Sequence, residues 1–258
     1  MMALGRRDRI APVTTPINRR QALAGIGSVS LGALLAACGT DDPETTTPTT
    51  EVETTTGTTT TVEAHGGGDL AALFEETSSC TLTPEQTEGP FYFDADAIRS
   101  DIREDRDGAT LRIAVRVRDA QTCEPIRNAV VDIWHCDAGG SYSGFSTGAT
   151  EERFLRGAQA TDRDGIVEFT TVYPGWYMGR TVHVHAKVHL DSTTALTTQL
   201  YFAEDLTAAV YEHEPYASRT GRDTFNDDDT LFDEALVMDL SEDGASYLGL
   251  ASFDVASA

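Results

Sequence analysis

Histidines alternate with apolar residues along positions 181–190 of the chain. His183 and His185 are two positions apart, and Lys187 and His189 continue the same alternation. Side chains two positions apart share one face of a β-strand, so these four would lie on one face and the intervening apolar residues on the other. Two imidazoles at i and i+2 on a rigid strand are well placed to bind one metal ion. The segment therefore predicts a strand with one face in the core and a histidine face that lines a pocket or solvent.

These residues alone leave the kind of metal site open. Zinc could be bound by the histidine pair with His135 or Cys136, but those two are adjacent and would face opposite sides of a strand. A cupin-like site would need a glutamate soon after the pair, where Lys187 and His189 stand instead. A blue-copper site would need a histidine and a methionine closely after a cysteine, and the residues after Cys136 do not supply them. The rest of the chain must identify the other ligands.

The chain is strongly acidic, with a formal net charge of −23 at pH 7 over 258 residues. A surface of this charge repels a phosphate backbone, so we expect no nucleic-acid partner. The acids are spread along the chain, which is typical of an adaptation to solubility or high salt. The runs at residues 162–165 and 227–229 lack the ligand spacing of an EF-hand loop, so we expect solvated turns there and not calcium sites.

Several short runs of the chain have the pattern of β-strands. They are residues 111–117, 129–134, 166–171, 181–190, 197–202 and 235–240. Turn-forming Asp-Gly pairs separate several of them. Helical periodicity is weak, with short candidates only at residues 71–76 and 206–212. The pattern predicts an all-β fold, a β-sandwich of mostly antiparallel strands with few short helices.

The first 37 residues have the composition of an export signal. Arg19 and Arg20 precede a short apolar stretch that ends in Leu-Ala-Ala directly before Cys38. This arrangement resembles a bacterial-type lipoprotein signal of the twin-arginine (Tat) pathway. We therefore expect residues 1–37 to be a signal peptide and the protein to be exported. Its only membrane contact would be a lipid on Cys38, at the outer face of the cell membrane.

Composition divides the rest of the chain near residue 69. Residues 38–68 consist mainly of threonine, acids, proline and glycine, and contain too little apolar surface to fold. They predict a disordered tether. Residues 69–258 have the length and apolar content of a single folded domain.

Three cysteines lie in the predicted domain. Cys80 and Cys123 have loop-like neighbours, whereas Cys136 follows an apolar run. In an oxidising compartment we expect a disulfide between Cys80 and Cys123, with Cys136 as a buried free thiol.

Six short segments between residues 87 and 202 follow one another in a recognisable order. They read Thr-Glu-Gly-Pro-Phe-Tyr (87–92), Val-Asp-Ile-Trp-His-Cys-Asp-Ala-Gly-Gly-Ser-Tyr-Ser (131–143), Phe-Leu-Arg-Gly (154–157), Tyr-Pro-Gly-Trp-Tyr (173–177), Gly-Arg-Thr-Val-His-Val-His (179–185) and Thr-Gln-Leu-Tyr-Phe (198–202). Each segment alone is weakly specific, but together they resemble the intradiol ring-cleavage dioxygenases. The resemblance implies a β-sandwich that holds a mononuclear non-haem Fe(III) ion.

The resemblance also implies roles for particular residues. The iron ligands would be Tyr142, Tyr177, His183 and His185, and the pocket residues would be Arg180 and Gln199. Two phenolates and one hydroxide would cancel the three positive charges of ferric iron, and hard anionic donors favour Fe(III) over Fe(II). Tyr177 would be the ligand that leaves when substrate binds, and Arg180 would stabilise negative charge on the ring.

The implied reaction is cleavage of a catechol-type ring by O2 between its two hydroxyl-bearing carbons, which gives a muconate-type diacid. The partners would be a small catechol-type molecule and O2. A non-catalytic surface protein that binds iron or catecholates is the alternative. The interval from Tyr177 to His183 is shorter than in the well-known aromatic-degrading members. The resemblance therefore does not predict which catechol the protein prefers. Tyr173, four residues before Tyr177, remains a competitor for its role.

Overall fold

The computed structural model describes residues 67–75 and 80–257 of the chain. The predicted signal peptide, Cys38 and most of the predicted tether lie outside these residues. No helix in the described part is long and apolar enough to cross a membrane.

The described residues form two four-stranded sheets with few helices. The strands are β1 (Thr110–Asp119), β2 (Val130–Trp134), β3 (Arg156–Ala160), β4 (Ile166–Val172), β5 (His183–Leu190), β6 (Thr193–Tyr201), β7 (Asp239–Asp243) and β8 (Ser246–Val255). The helices are α1 (Gly67–Glu75) and α2 (Glu204–Tyr211), with short 3-10 helices at Asn226–Asp228 and Glu234–Leu236. The predicted β-sandwich is confirmed.

Strand pairing is antiparallel almost throughout. The first sheet has the order β4-β1-β8-β7, and its single parallel pair joins β1 to β8. The second sheet has the order β3-β2-β5-β6 and is antiparallel at every pairing. In the second sheet, Trp134 and Gln199 are the direct neighbours of His185 on either side. Arg156 of β3 is the next neighbour beyond Trp134, so the second sheet brings four of the segments named above together.

The main core lies between the two sheets. Alternate residues of β5, namely Val184, Ala186 and Val188, join it as predicted from the sequence pattern. The opposite face of β5 carries His183 and His185, which are also buried. A second layer must therefore cover the histidine face.

That layer is the segment 80–93, which we call the strap. Cys80 is bonded to Cys123, which confirms the predicted disulfide, and Cys136 is a buried free thiol. The backbone N–H of Thr83 donates to the carbonyl of Asp254 (3.0 Å), and that of Gln86 donates to the carbonyl of Thr197 (2.8 Å). The strap is thus attached to both sheets before it crosses the histidine face.

Two strands were not predicted, and one was predicted in the wrong place. Strand β3 reads Arg-Gly-Ala-Gln-Ala and has no β-branched residue, so its extended form depends on pairing with β2. Strand β8 contains serines, alanine and Gly249, which weaken the local pattern. The predicted strand over residues 235–240 is wrong at its start, because Glu234–Leu236 form a 3-10 helix and β7 begins at Asp239.

Candidate metal centre

His183 and His185 approach each other through their Nε2 atoms, which are 3.1 Å apart. The Nδ1 atom of His183 lies 2.7 Å from the carbonyl oxygen of Thr181. A carbonyl can only accept a hydrogen bond, so Nδ1 carries the proton and Nε2 presents a lone pair. The histidine pair is therefore oriented as metal ligands are, with the outer nitrogen of His183 held by the backbone.

Tyr177 completes one side of the cluster. Its Oη atom lies 3.0 Å from Nε2 of His183. The ring is carried by the turn between β4 and β5, and a bridge between Tyr177 and Arg180 closes that turn. Tyr173, the competing tyrosine, lies in the core, with its Oη 2.8 Å from Oγ1 of Thr207. Of the two tyrosines, only Tyr177 adjoins the histidine pair.

Tyr142 lies on the other side, in the turn that follows β2. Its ring centroid is 5.6 Å from that of Tyr177 and 6.3 Å from that of His185. Ser143, the residue after Tyr142, is bound by the buried side chain of Arg156. Nε of Arg156 donates to Ser143 Oγ (2.9 Å), and Nη2 donates to the Ser143 carbonyl (2.8 Å). The hydroxyl of Tyr142 is buried and has no hydrogen-bond partner among the described residues. A buried hydroxyl without a partner is costly, and such an atom calls for a ligand.

Burial keeps all four side chains neutral in the absence of a metal. It raises the pKa of Tyr177 to about 12 and raises the pKa of Tyr142 well above its usual value. It lowers the pKa of His183 to about 3, and burial with the neighbouring His183 also lowers the pKa of His185. Both imidazoles are thus neutral, and the contact with Thr181 leaves the Nε2 atom of His183 free of a proton, while the phenols become anions only if a cation displaces their protons.

The donor set fits a hard, highly charged metal ion. In residues 67–75 and 80–257, no group of three or more His, Cys, Asp or Glu is arranged to hold a metal. The tyrosines Tyr142 and Tyr177 lie beside the histidine pair and would be the further protein ligands of a metal bound there. Phenolate oxygens are hard anionic donors that favour Fe(III). The ligand roles of the four residues stay a prediction, and the structure brings them together as that prediction requires.

Arg180 and Gln199 lie beside the cluster. Nη2 of Arg180 donates to Oε1 of Gln199 (2.6 Å), and Nε2 of Gln199 donates to the carbonyl of Thr87 in the strap (3.0 Å). Nε of Arg180 donates to Oδ2 of Asp229 (2.8 Å). The prediction that the run 227–229 is a solvated turn is wrong for Asp229, which is buried; hydrogen bonds from Arg180, Thr181 and Leu231 offset the cost of burying its charge.

The strap supplies contacts that sequence reasoning missed. The ring of Phe91 stacks on Tyr142 with a centroid distance of 4.5 Å and meets the edge of Tyr177 at 6.0 Å. Gly89 lies so close to His185 that a Cβ atom on it would be 3.2 Å from the imidazole Cε1. The sequence signal was available in the segment at residues 87–92, but nothing local to it indicates which side chains it covers.

His135, His189 and Cys136 are not predicted ligands, although Cys136 packs against Tyr142 in an apolar cluster. His135 is fully buried, with Nε2 2.7 Å from Thr171 Oγ1, and burial lowers its pKa to about 4. Cys136 donates to the carbonyl of Gly175, and burial raises the pKa of its thiol to about 12. His189 is partly exposed beside Thr194. As expected, these side chains are structural or surface groups.

Together, the fold and the site define a β-sandwich with a buried tyrosine–histidine cluster on one sheet. A family model described as Dioxygenase matches residues 87–219. An intradiol ring-cleavage dioxygenase from Tetranychus urticae is 34% identical, with a TM-score of 0.65 over 69% of this chain and 95% of that one. The dioxygenase domain of a carbohydrate-binding fusion protein from Streptomyces sp. SirexAA-E is 32% identical, with a TM-score of 0.54 over 69% and 99% of the two chains.

Two characterised enzymes match a shorter part of the chain. Catechol 1,2-dioxygenase 1 of Acinetobacter lwoffii is 33% identical over 161 residues, and chlorocatechol 1,2-dioxygenase of Rhodococcus opacus is 29% identical over 167 residues. Each alignment covers 53% of this chain, and they span 51% and 65% of the respective relatives. The chain belongs to the intradiol ring-cleavage dioxygenase family.

Proposed function

We propose that the protein is an Fe(III)-dependent intradiol dioxygenase that cleaves a catechol-type ring with O2 to a muconate-type diacid. One observation carries the proposal: Tyr177 Oη and His185 Nε2 lie 3.0 and 3.1 Å from His183 Nε2, beside the unpartnered hydroxyl of Tyr142. The names of the relatives, catechol and chlorocatechol 1,2-dioxygenases, support ring cleavage of catechols.

The four clustered side chains would hold the iron, which when bound supplies a redox-active Lewis acid that activates a catechol toward O2. The chain's own residues manage protons and charge. With iron bound, Tyr177 would be a phenolate, and its Oη would take up the proton that one substrate hydroxyl gives up, because burial favours the neutral phenol. Arg180 stabilises negative charge that develops on the ring. Gln199, the neighbour of His185 in the sheet, accepts a hydrogen bond from Arg180 and so limits its orientation.

The strap limits access of water to this chemistry. Phe91 packs against both tyrosines, and Gly89 packs against His185. Removing water strengthens the electrostatic interactions of Arg180 and protects reactive species from side reactions. The site thus combines a polar cluster in the second sheet with an apolar cover.

The test is to purify the protein, measure its metal content, and record its visible absorption with and without catechol. We expect about one iron per chain, a tyrosinate absorption band that shifts when catechol is added, and O2 uptake that bleaches the shifted band. A colourless zinc protein would contradict the proposal. A coloured protein that binds catechol without O2 uptake would support the non-catalytic binder instead.

Matched variants separate the ligand role of Tyr142 from a packing role. Tyr142→Phe removes one hydroxyl from the cluster and should lower turnover at least 100-fold and reduce iron content. Tyr173→Phe removes a buried hydroxyl that bonds to Thr207 in the core, and should leave the absorption band and turnover within about twofold of wild type. Wild-type colour and turnover in Tyr142→Phe would exclude its ligand role. His185→Ala removes another predicted iron ligand and should therefore abolish activity.

We propose further that the enzyme acts outside the cytoplasm and is held by a lipid on Cys38. The support is the amino-terminal sequence, with its paired arginines and the Leu-Ala-Ala-Cys ending. Cells grown with a labelled fatty acid should label the wild-type protein and not Cys38→Ser. Equal labelling of both proteins would show that the lipid is not on Cys38.

A further inference from the structure

The carboxylate of Asp229 is hydrogen-bonded to the guanidinium of Arg180. Its Oδ2 atom accepts hydrogen bonds from Nε of Arg180 (2.8 Å) and from the backbone N–H of Thr181 (2.9 Å). Its Oδ1 atom accepts from the backbone N–H of Leu231 (2.9 Å). Oδ2 therefore binds both the Arg180 guanidinium and the backbone that leads into β5, while Oδ1 binds the backbone of the loop that carries Asp229 itself.

This carboxylate is ionised although it is buried. Its side chain is only 3% exposed. Burial acts to raise its pKa, but hydrogen bonds from Leu231, Thr181 and Arg180 outweigh burial and keep the pKa below its usual value. The pair of Arg180 and Asp229 thus carries no net charge.

A second guanidinium nitrogen of Arg180, Nη2, is hydrogen-bonded to Gln199. Nη2 donates to Gln199 Oε1 (2.6 Å), so the guanidinium is held at Nε by a carboxylate and at Nη2 by an amide. Gln199 is in turn fixed by the strap carbonyl of Thr87 (3.0 Å). Hydrogen bonds therefore link Asp229 to Arg180, Arg180 to Gln199, and Gln199 to the strap.

We propose that Asp229 is a positioning residue that fixes the guanidinium of Arg180 and cancels its charge, so that the site selects uncharged catechols over catechols that carry a carboxylate. This inference rests on the proposed function. Lys187, on the same face of β5 as the histidine pair, is likewise paired, with Glu88 of the strap.

The kinetic test compares Asp229→Asn with Asp227→Asn on catechol and on 3,4-dihydroxybenzoate. Asp227 is exposed and belongs to the same acidic run, so its variant controls for loss of one negative charge nearby. Asp229→Asn should lower kcat on catechol about tenfold and raise the preference for 3,4-dihydroxybenzoate, as a ratio of kcat/KM values, about tenfold. Asp227→Asn should leave both unchanged. An unaltered preference in Asp229→Asn would overturn the proposal, because a merely structural residue would lower both activities together.

A double-mutant comparison tests whether Asp229 acts through Arg180. In an Arg180→Ala background, Asp229→Asn should cause no further loss of kcat. Two independent, multiplying losses would overturn the positioning role. Wild-type protein without ring-cleavage activity would instead refute the proposed function, and a measurement on the metal-free protein then decides the positioning role by itself.

That measurement needs neither iron nor turnover. In the metal-free wild-type protein, NMR should show the Arg180 Nε–H signal protected from exchange with solvent, since Asp229 accepts its proton in a buried setting. Asp227→Asn should keep this protection and Asp229→Asn should lose it. Rapid exchange in the wild type would overturn the proposal.

Discussion

Asp132 lies on the histidine face of the second sheet, directly opposite Lys187 in the pairing of β2 with β5. Tyr92 of the strap donates its hydroxyl proton to Oδ2 of Asp132 (3.2 Å). Burial raises the pKa of this carboxyl to about 6. Because the folded pKa exceeds the usual value of 3.8, the contribution of Asp132 to stability is most favourable below 3.8 and is lost as the pH rises through about 6.

Asp132→Asn should therefore stabilise the protein at pH 7.5 and have a smaller effect near pH 4. The expected gain in the free energy of unfolding at pH 7.5 is about 2 kcal/mol, because the variant avoids ionising a buried group. Urea denaturation at several pH values would measure it. Asp239→Asn, which changes an exposed carboxylate on β7, is the control and should show no such pH dependence. A gain that is equal at pH 4 and pH 7.5 would contradict the burial explanation.

The strap determines how well the second sheet is covered, and Gly89 is its closest point to His185. Gly89 has a φ angle of +69°. Gly244, in the turn between β7 and β8, has a φ angle of +64°, but a Cβ atom on it would have no neighbouring atom within 4 Å. The two glycines therefore share the same backbone requirement and differ only in what a methyl group would contact.

Gly89→Ala and Gly244→Ala should destabilise the protein similarly, by about 1 kcal/mol each, because alanine is disfavoured at positive φ. Only Gly89→Ala should also alter the site, since its methyl group would press on the imidazole of His185. We expect at least a tenfold lower kcat and a shifted absorption band in Gly89→Ala, with neither change in Gly244→Ala. Identical spectra and turnover in the two variants would refute a role for this contact.

The disulfide attaches the start of the strap to the turn after β1. It joins residues 43 positions apart, so on the chain-entropy model its removal should lower the free energy of unfolding by about 4 kcal/mol. Denaturation with and without a reductant would measure this loss. Cys136→Ala, which removes the free thiol, should keep the full sensitivity to reductant. Stability that does not change on reduction would show that the backbone contacts of Thr83 and Gln86 hold the strap without the disulfide.

The whole molecule carries a formal net charge of −23. Repulsion among these charges destabilises the compact state, and salt screens it over about 10 Å at 0.1 M. Raising NaCl from 0.02 to 0.3 M at pH 7.5 should therefore increase Tm by roughly 2–4 °C, which corresponds to about 1 kcal/mol for a domain of this size. Sucrose of equal osmolality controls for preferential exclusion, and an equal increase in sucrose would contradict screening.

At this scale the sheets also explain which predictions from sequence succeeded. The alternation in β5 is strong because one face packs in the core, so the strand and its two faces could be predicted from residues 183–190. Strands β3 and β8 lack such a signal, because their extended form depends on pairing with β2 and β1. The parallel pairing of β1 with β8 joins segments more than a hundred positions apart, and no local pattern reports it.

By itself the sequence determined the sandwich class, the histidine face of β5, the Cys80–Cys123 pairing and the residues that would form the metal centre. The histidine face is a local property, because a strand converts a spacing of two residues directly into a shared face. The tyrosines of the predicted centre followed from the resemblance of six segments to the family, and the disulfide from the loop-like neighbours of its cysteines. Only the tertiary structure showed that Asp229 binds Arg180 from 49 positions away and that Gly89 of the strap lies against His185. These contacts depend on how separate elements pack. The residue type of an aspartate does not determine whether its side chain is buried or solvated.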